Sequence, residues 1–146
     1  MRALRSAARR LTLALLVVAV LSGVGMTFPR GAGAAQAWRF LLGQWTDLAH
    51  AVLGVAVLID ASVLLARVAR PPATRAWALP LLGVASVAVA VGAGIAYVSL
   101  RQPGAALGWM TAGWLAAQTV YLLVWVRSHR VLTVKERSRL RVDPQS

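Results

Sequence analysis

Four apolar runs, each 18–24 residues long, constrain this chain more than any other feature. They occupy residues 11–28, 45–66, 77–100 and 105–126. A helix of about 20 residues, rising about 1.5 Å per residue, crosses a hydrocarbon core of about 30 Å. A chain of 146 residues, 59% of them hydrophobic, is also too small to hide this surface in a soluble globule. The sequence therefore predicts an all-α integral membrane protein, with four transmembrane helices in an antiparallel bundle.

The distribution of basic side chains predicts the orientation of these helices. Thirteen of the sixteen Lys and Arg residues flank one end of the predicted bundle, and three flank the other. The thirteen are Arg2, Arg5, Arg9, Arg10, Arg67, Arg70, Arg75, Arg127, Arg130, Lys135, Arg137, Arg139 and Arg141, and the three are Arg30, Arg39 and Arg101. Basic segments beside transmembrane helices remain in the cytoplasm. We therefore expect both termini to be cytoplasmic.

The same pattern predicts the domain organisation and the surroundings of the chain. We expect a basic N-terminus over residues 1–10, a transmembrane domain over 11–128 and a basic tail over 129–146. The net charge of +12 would then face the anionic lipids of the cytoplasmic leaflet, which predicts a lipid partner and no nucleic acid. Abundant Ala, Val, Leu, Gly and Arg are typical of a high-GC bacterium, so a multi-pass plasma-membrane protein is expected. The lack of cysteine excludes disulfides and thiolate metal sites.

The first apolar run also has features of a signal peptide. Residues 1–37 combine a basic start, an apolar stretch and the sequence A-Q-A before Trp38. The stretch exceeds the 7–15 residues usual for a signal peptide and ends about nine residues before that site. We expect the run to be retained as a span, whereas cleavage would leave three spans with unchanged orientation. Beyond it, Trp38, Arg39 and Phe40 predict a short segment in the headgroup layer.

Small residues recur every fourth position in the third run. One stripe contains Ser86, Ala90 and Gly94, and a neighbouring stripe contains Ala88, Gly92 and Ala96. Residues four apart share a helix face, and small side chains let a second backbone come close in lipid. The stripes predict either packing within the bundle, which we favour, or an interface with a second copy or another membrane subunit.

Asp47 and His50 lie three residues apart at the start of the second run, on one helix face. Next to Trp45 they are predicted to form a polar pair at the outer membrane surface, with Asp47 orienting the His50 ring. No cofactor is required by this interpretation. His50 and Gly54 also form an H-x-x-x-G element, which resembles the haem-binding helices of b-type cytochromes. That resemblance implies a haem b ligated by His50. A second ligand would be required, and His129 is expected on the opposite side of the bilayer. Met26 and Met110, at the outer ends of their runs and near the depth of His50, are then the candidate second ligands.

Asp60 lies inside the second run, where an unpaired carboxylate costs at least a few kcal/mol. Its expected partners are Gln118 and Tyr121 in the fourth run, or Arg67 two turns further along the same helix. Such an acid either locks helix packing, or carries a proton or cation, or docks against a basic group of a partner. Asp60 is the residue of this chain that most favours a functional role.

No motif for hydrolysis or phosphoryl transfer occurs in the sequence. We therefore expect a non-enzymatic protein, acting as an accessory or assembly subunit of a larger membrane complex or as a self-associating bundle. A proton- or cation-coupled transporter that uses Asp60, working as a homo-oligomer, is the first alternative. A haem-binding electron carrier that uses His50 is the second.

Overall fold

The computed structural model describes residues 2–23, 33–69, 77–100 and 104–142, with the side chains of the last segment described as far as residue 128. It contains five helices: α1 (Arg2–Gly23), α2 (Ala34–Gly43), α3 (Trp45–Ala69), α4 (Ala78–Ser99) and α5 (Gly104–Val142).

Three helices in the described residues are long and apolar enough to cross a membrane. They are α3, α4 and the part of α5 between Gly104 and Ser128. These confirm a helical protein with membrane-spanning segments, at bounds close to those expected from sequence. The predicted span 11–28 coincides with α1 as far as Gly23, and its last residues lie outside the described chain. The four-span topology with cytoplasmic termini therefore stays a prediction.

Many Ser and Thr side chains in the described residues form a hydrogen bond within their own helix. Seven Ser and Thr hydroxyls donate a hydrogen bond to the carbonyl oxygen four residues earlier: Thr12, Ser22, Ser62, Ser86, Thr111, Thr119 and Ser128. In hydrocarbon a hydroxyl without a partner costs several kcal/mol, so this back-bonding makes the residues tolerable in an apolar helix. Pro80 is accommodated in the first turn of α4, where its missing N–H has no helical partner to lose.

Four of the helices form a ring in which each packs against two neighbours. Helix α1 contacts α3 and α5, and α4 contacts the same two helices, so α3 and α5 face each other across the ring. Helix α2 lies against α3 and α4. Its buried residues Ala37 and Leu41 pack with Val98 near the end of α4 and with Ala51 near the start of α3. The short segment expected around Trp38 is thus a helix that covers one end of the ring.

Contacts along the ring show how neighbouring helices run. Arg10 and Ser22 of α1 meet Asp60 and His50 of α3, so these two helices are antiparallel. Helices α4 and α5 are also antiparallel, because Gly83 lies against Tyr121 and Gly94 against Met110. We call the two ends of the ring the Asp60 end and the His50 end.

The Asp60 end holds the main packed core. Leu11 of α1, Ala61 and Leu64 of α3, and Tyr121 of α5 are almost or completely inaccessible. A Cβ atom added to Gly83 would lie 2.6 Å from the Tyr121 ring, so the phenol occupies the space that a larger residue would need. Glycine at position 83 is what lets this aromatic ring be fully buried between α4 and α5.

Candidate functional site

The site begins with the imidazole of His50, which α1 fixes from one side. Its Nδ1 lies 3.1 Å from the carbonyl oxygen of Val18 and 3.1 Å from Ser22 Oγ. The Ser22 hydroxyl itself donates to the same carbonyl at 2.9 Å. A carbonyl oxygen only accepts, so a hydrogen bond from His50 to Val18 requires the proton on Nδ1. In this tautomer Nε2 carries the free lone pair of the ring.

A cavity of about 750 Å³ occupies the His50 end of the ring. All five helices contribute to its walls, which are apolar except for a few groups, among them His50 and Ser22. Trp38, Leu41 and Leu42 of α2 line it at the end that α2 covers. Pockets for small molecules and cofactors commonly measure about 300–1,000 Å³ and combine apolar walls with few polar groups. This cavity has the size and chemistry of such a pocket.

His50 and Met110 approach the cavity from opposite sides of the ring, since one belongs to α3 and the other to α5. Met110 Sδ lies 3.7 Å from the position of a Cβ on Gly94. One turn beyond His50, Gly54 faces Val91, which is itself about one turn from Gly94 along the antiparallel helix. The two side chains are therefore at similar depth, and these two predicted haem ligands line the same cavity from different helices. The third, Met26, lies outside the described residues.

Asp60 pairs with a residue that the sequence interpretation did not name. Arg10 Nη2 of α1 lies 3.2 Å from Asp60 Oδ1, with 62% and 39% of the two side chains exposed. The expected partners do not bond to it. Gln118 Oε1 and Tyr121 Oη are buried without a hydrogen-bond partner in the described part of the chain, and Arg67 is exposed.

Depth along the two spans would have identified Arg10. It directly precedes the first run, and in an antiparallel pair the start of the first run lies beside the end of the second. Asp60 is six residues from the predicted end of its run, a rise of about 9 Å. The long side chain of an arginine covers most of such a distance by extending along the helix surface.

Asp47 occupies the first turn of α3, and only 2% of the residue is exposed. A negative charge in that turn is stabilised by the positive end of the helix dipole. The hydrogen bonds of His50 Nδ1 go to Val18 and Ser22 of α1, so α1 orients the ring.

The two small-residue stripes of α4 have different surroundings. Ser86 and Ala90 pack against α5, because a Cβ on Gly113 would lie 2.8 Å from the Ser86 carbonyl oxygen and 2.9 Å from the Ala90 nitrogen. Gly94 continues this contact toward Met110. The stripe therefore packs within the bundle.

The second stripe faces away from the ring. Ala88 and Gly92 are exposed and Ala96 is half-buried. A Cβ on Gly92 would meet no atom within 4 Å. This stripe remains available for a contact outside the chain.

The described residues contain no group of three His, Cys, Asp or Glu side chains that could hold a metal ion. No known protein family, curated protein or solved structure matches the chain. The class defined by fold and site is a helical membrane protein with a ligand-sized cavity at one end of its bundle.

Proposed function

We propose that this chain is a non-enzymatic, polytopic membrane protein that works as a subunit of a larger assembly. The assembly contains further copies of the chain or other membrane proteins, packed against the stripe of Ala88, Gly92 and Ala96. In this proposal the protein has four spans, with both termini in the cytoplasm of a bacterial plasma membrane.

The proposal is supported mainly by the contrast between the two small-residue stripes of α4. The stripe that includes Ser86 shows what small residues do here, since it lets α5 approach until Gly113 lies against the α4 backbone. The stripe that includes Gly92 has the same spacing, but its Ala88 and Gly92 are exposed and a Cβ on Gly92 would meet no atom of the described chain within 4 Å. Because lipid tails are as apolar as side chains, close packing at small residues is a main source of helix association in membranes.

The proposed topology is supported by the position of α1. Helix α1 completes the ring between α3 and α5, running antiparallel to α3 like a transmembrane neighbour. Its predicted apolar run begins directly after Arg10, which pairs with Asp60 near the end of the bundle that carries most of the basic residues.

The test is native mass spectrometry of the protein released from its own membrane in mild detergent. We expect an assembly heavier than one chain. Gly92→Leu should reduce it to the monomer, because the added side chain keeps a second backbone away from the stripe. Gly108→Leu is the matched control, since Gly108 also has open space around its Cβ position but belongs to another helix. A wild-type protein released only as a monomer would contradict the proposal, as would an unchanged assembly in Gly92→Leu.

Transport of a proton or cation through Asp60 stays a prediction. The ion pair with Arg10 makes it the weaker proposal, because a carrier carboxylate would have to leave its partner in every cycle. Asp60→Asn should abolish ion-coupled uptake if transport is the function, and unchanged uptake would exclude it.

A further inference from the structure

We propose that the cavity at the His50 end binds haem b, with Nε2 of His50 and the thioether sulfur of Met110 as the axial ligands of the iron. This cofactor site goes beyond the proposed function as a subunit of an assembly. The volume and lining of the cavity, the contacts of His50 Nδ1 and the side chains available as ligands support it.

Contacts with α1 hold Nδ1 of the His50 ring, so Nε2 is the candidate metal ligand. A histidine that binds a metal usually donates its other ring N–H to a carbonyl or carboxylate, which fixes the tautomer and the ring orientation. Val18 supplies such a carbonyl 3.1 Å from Nδ1, and Ser22 flanks it. The nitrogen left with a lone pair is Nε2, on a side chain that lines the cavity.

The opposite wall supplies the second ligand. Met110 lines the same cavity from α5, at the depth of His50 and across the ring from α3. Met110 Sδ lies against Gly94, 3.7 Å from the position of a Cβ on that residue, and a Cβ on Gly54 would contact only Val91 at 3.9 Å.

The number of ligands favours an iron porphyrin over a bare metal ion. The described residues offer no cluster of three ionisable ligands, so an ion would be held by His50 and Met110 alone. A porphyrin brings four nitrogen ligands of its own, and two axial protein ligands then complete six-coordination. His/Met ligation of this kind is used by electron-transfer haems and raises their reduction potential. The apolar walls suit the macrocycle, which is itself largely apolar.

The test is titration of the purified full-length protein with hemin in detergent micelles, followed by absorption spectra before and after reduction with dithionite. We expect saturable binding of one hemin per chain and a six-coordinate, low-spin spectrum. His50→Ala should weaken hemin binding at least about tenfold, because even loss of a residue supporting a metal ligand typically costs 10- to 100-fold. His129→Ala removes the other histidine of the chain and should bind like the wild type, because the proposed site uses only His50.

If His50→Ala folds poorly, two further variants test the proposed hemin site. Met110→Leu should retain hemin but give a five-coordinate, high-spin spectrum, since leucine keeps the bulk and removes the sulfur. Gly54→Leu should weaken binding by filling the space beside His50. Absence of saturable binding to the wild type would overturn the proposal. Equal binding by the wild type, His50→Ala and Gly54→Leu would also overturn it, because hemin would then be an adventitious apolar additive only.

Discussion

The two ends of the ring use the same helices but pack differently. At the Asp60 end, Leu11 and Tyr121 fill the space between α1, α4 and α5, and Gly83 is required to make room for the tyrosine. At the His50 end, the corresponding space is a cavity of about 750 Å³. Glycine therefore has opposite consequences at the two ends. At position 83 it makes room for the Tyr121 ring, whereas at position 54 it leaves space in the cavity.

The packed core at the Asp60 end can hold the helices together while the cavity at the His50 end remains available for a ligand. The ends also differ in the polar contact between α1 and α3. At the Asp60 end it is an ion pair between half-exposed side chains. At the His50 end it is a hydrogen-bonded contact of the imidazole with a carbonyl and a hydroxyl, beside a cavity. The first suits a structural link, and the second leaves a reactive nitrogen free.

The largest loss of stability is expected from a substitution in the packed core at the Asp60 end. Leu11 is 1% exposed in the core, so Leu11→Ala should lower the free energy of unfolding by about 2–5 kcal/mol through the cavity that it creates. Leu107→Ala is the matched control at the other end. Leu107 is 47% exposed and lines the existing cavity, so its loss should cost much less. Unfolding in mixed detergent micelles measures both, and equal losses would contradict the contrast between the ends.

A smaller effect is expected for the ion pair of Arg10 and Asp60. Both side chains are more than a third exposed, and Asp60 is about 9 Å from the predicted end of its span. An exposed ion pair that interfacial water reaches contributes about 0.2–1 kcal/mol, which is the coupling expected here. A double-mutant cycle with Arg10→Gln and Asp60→Asn measures this coupling free energy directly. The cycle with Arg67→Gln in place of Arg10→Gln is the control and should give no coupling. Coupling of Asp60 to Arg67 instead of Arg10 would show that the contact is wrong.

Much of the fold could be predicted from the sequence because the bilayer fixes the length of an apolar helix. The run 45–66 coincides with the start of α3, and the run 77–100 differs from α4 by one residue at each end. The aromatic residues around Trp38 also indicated the segment that forms α2. These are properties of single segments and need no knowledge of their neighbours.

The site could be predicted only in part. The sequence singled out His50 and Met110, but it contained no sign that helices from opposite sides of a ring bring them to one cavity. The cavity depends on small residues from several helices meeting at one depth. The partner of Asp60 was not predicted for the same reason. Arg10 belongs to another helix, α1, and only the packing of α1 against α3 brings its long side chain to Asp60.

Thermal unfolding of Gly83→Ala and Gly54→Ala in one detergent tests the contrast between the packed Asp60 end and the open His50 end most directly. Each substitution adds one methyl group to a helical glycine, so the gain in helix propensity is shared. At Gly83 the methyl group would meet the Tyr121 ring at 2.6 Å, whereas at Gly54 its nearest neighbour is Val91 at 3.9 Å. We expect a lower unfolding temperature for Gly83→Ala and an unchanged or higher one for Gly54→Ala. A similar decrease in both variants would contradict a bundle that is closely packed at one end and open at the other.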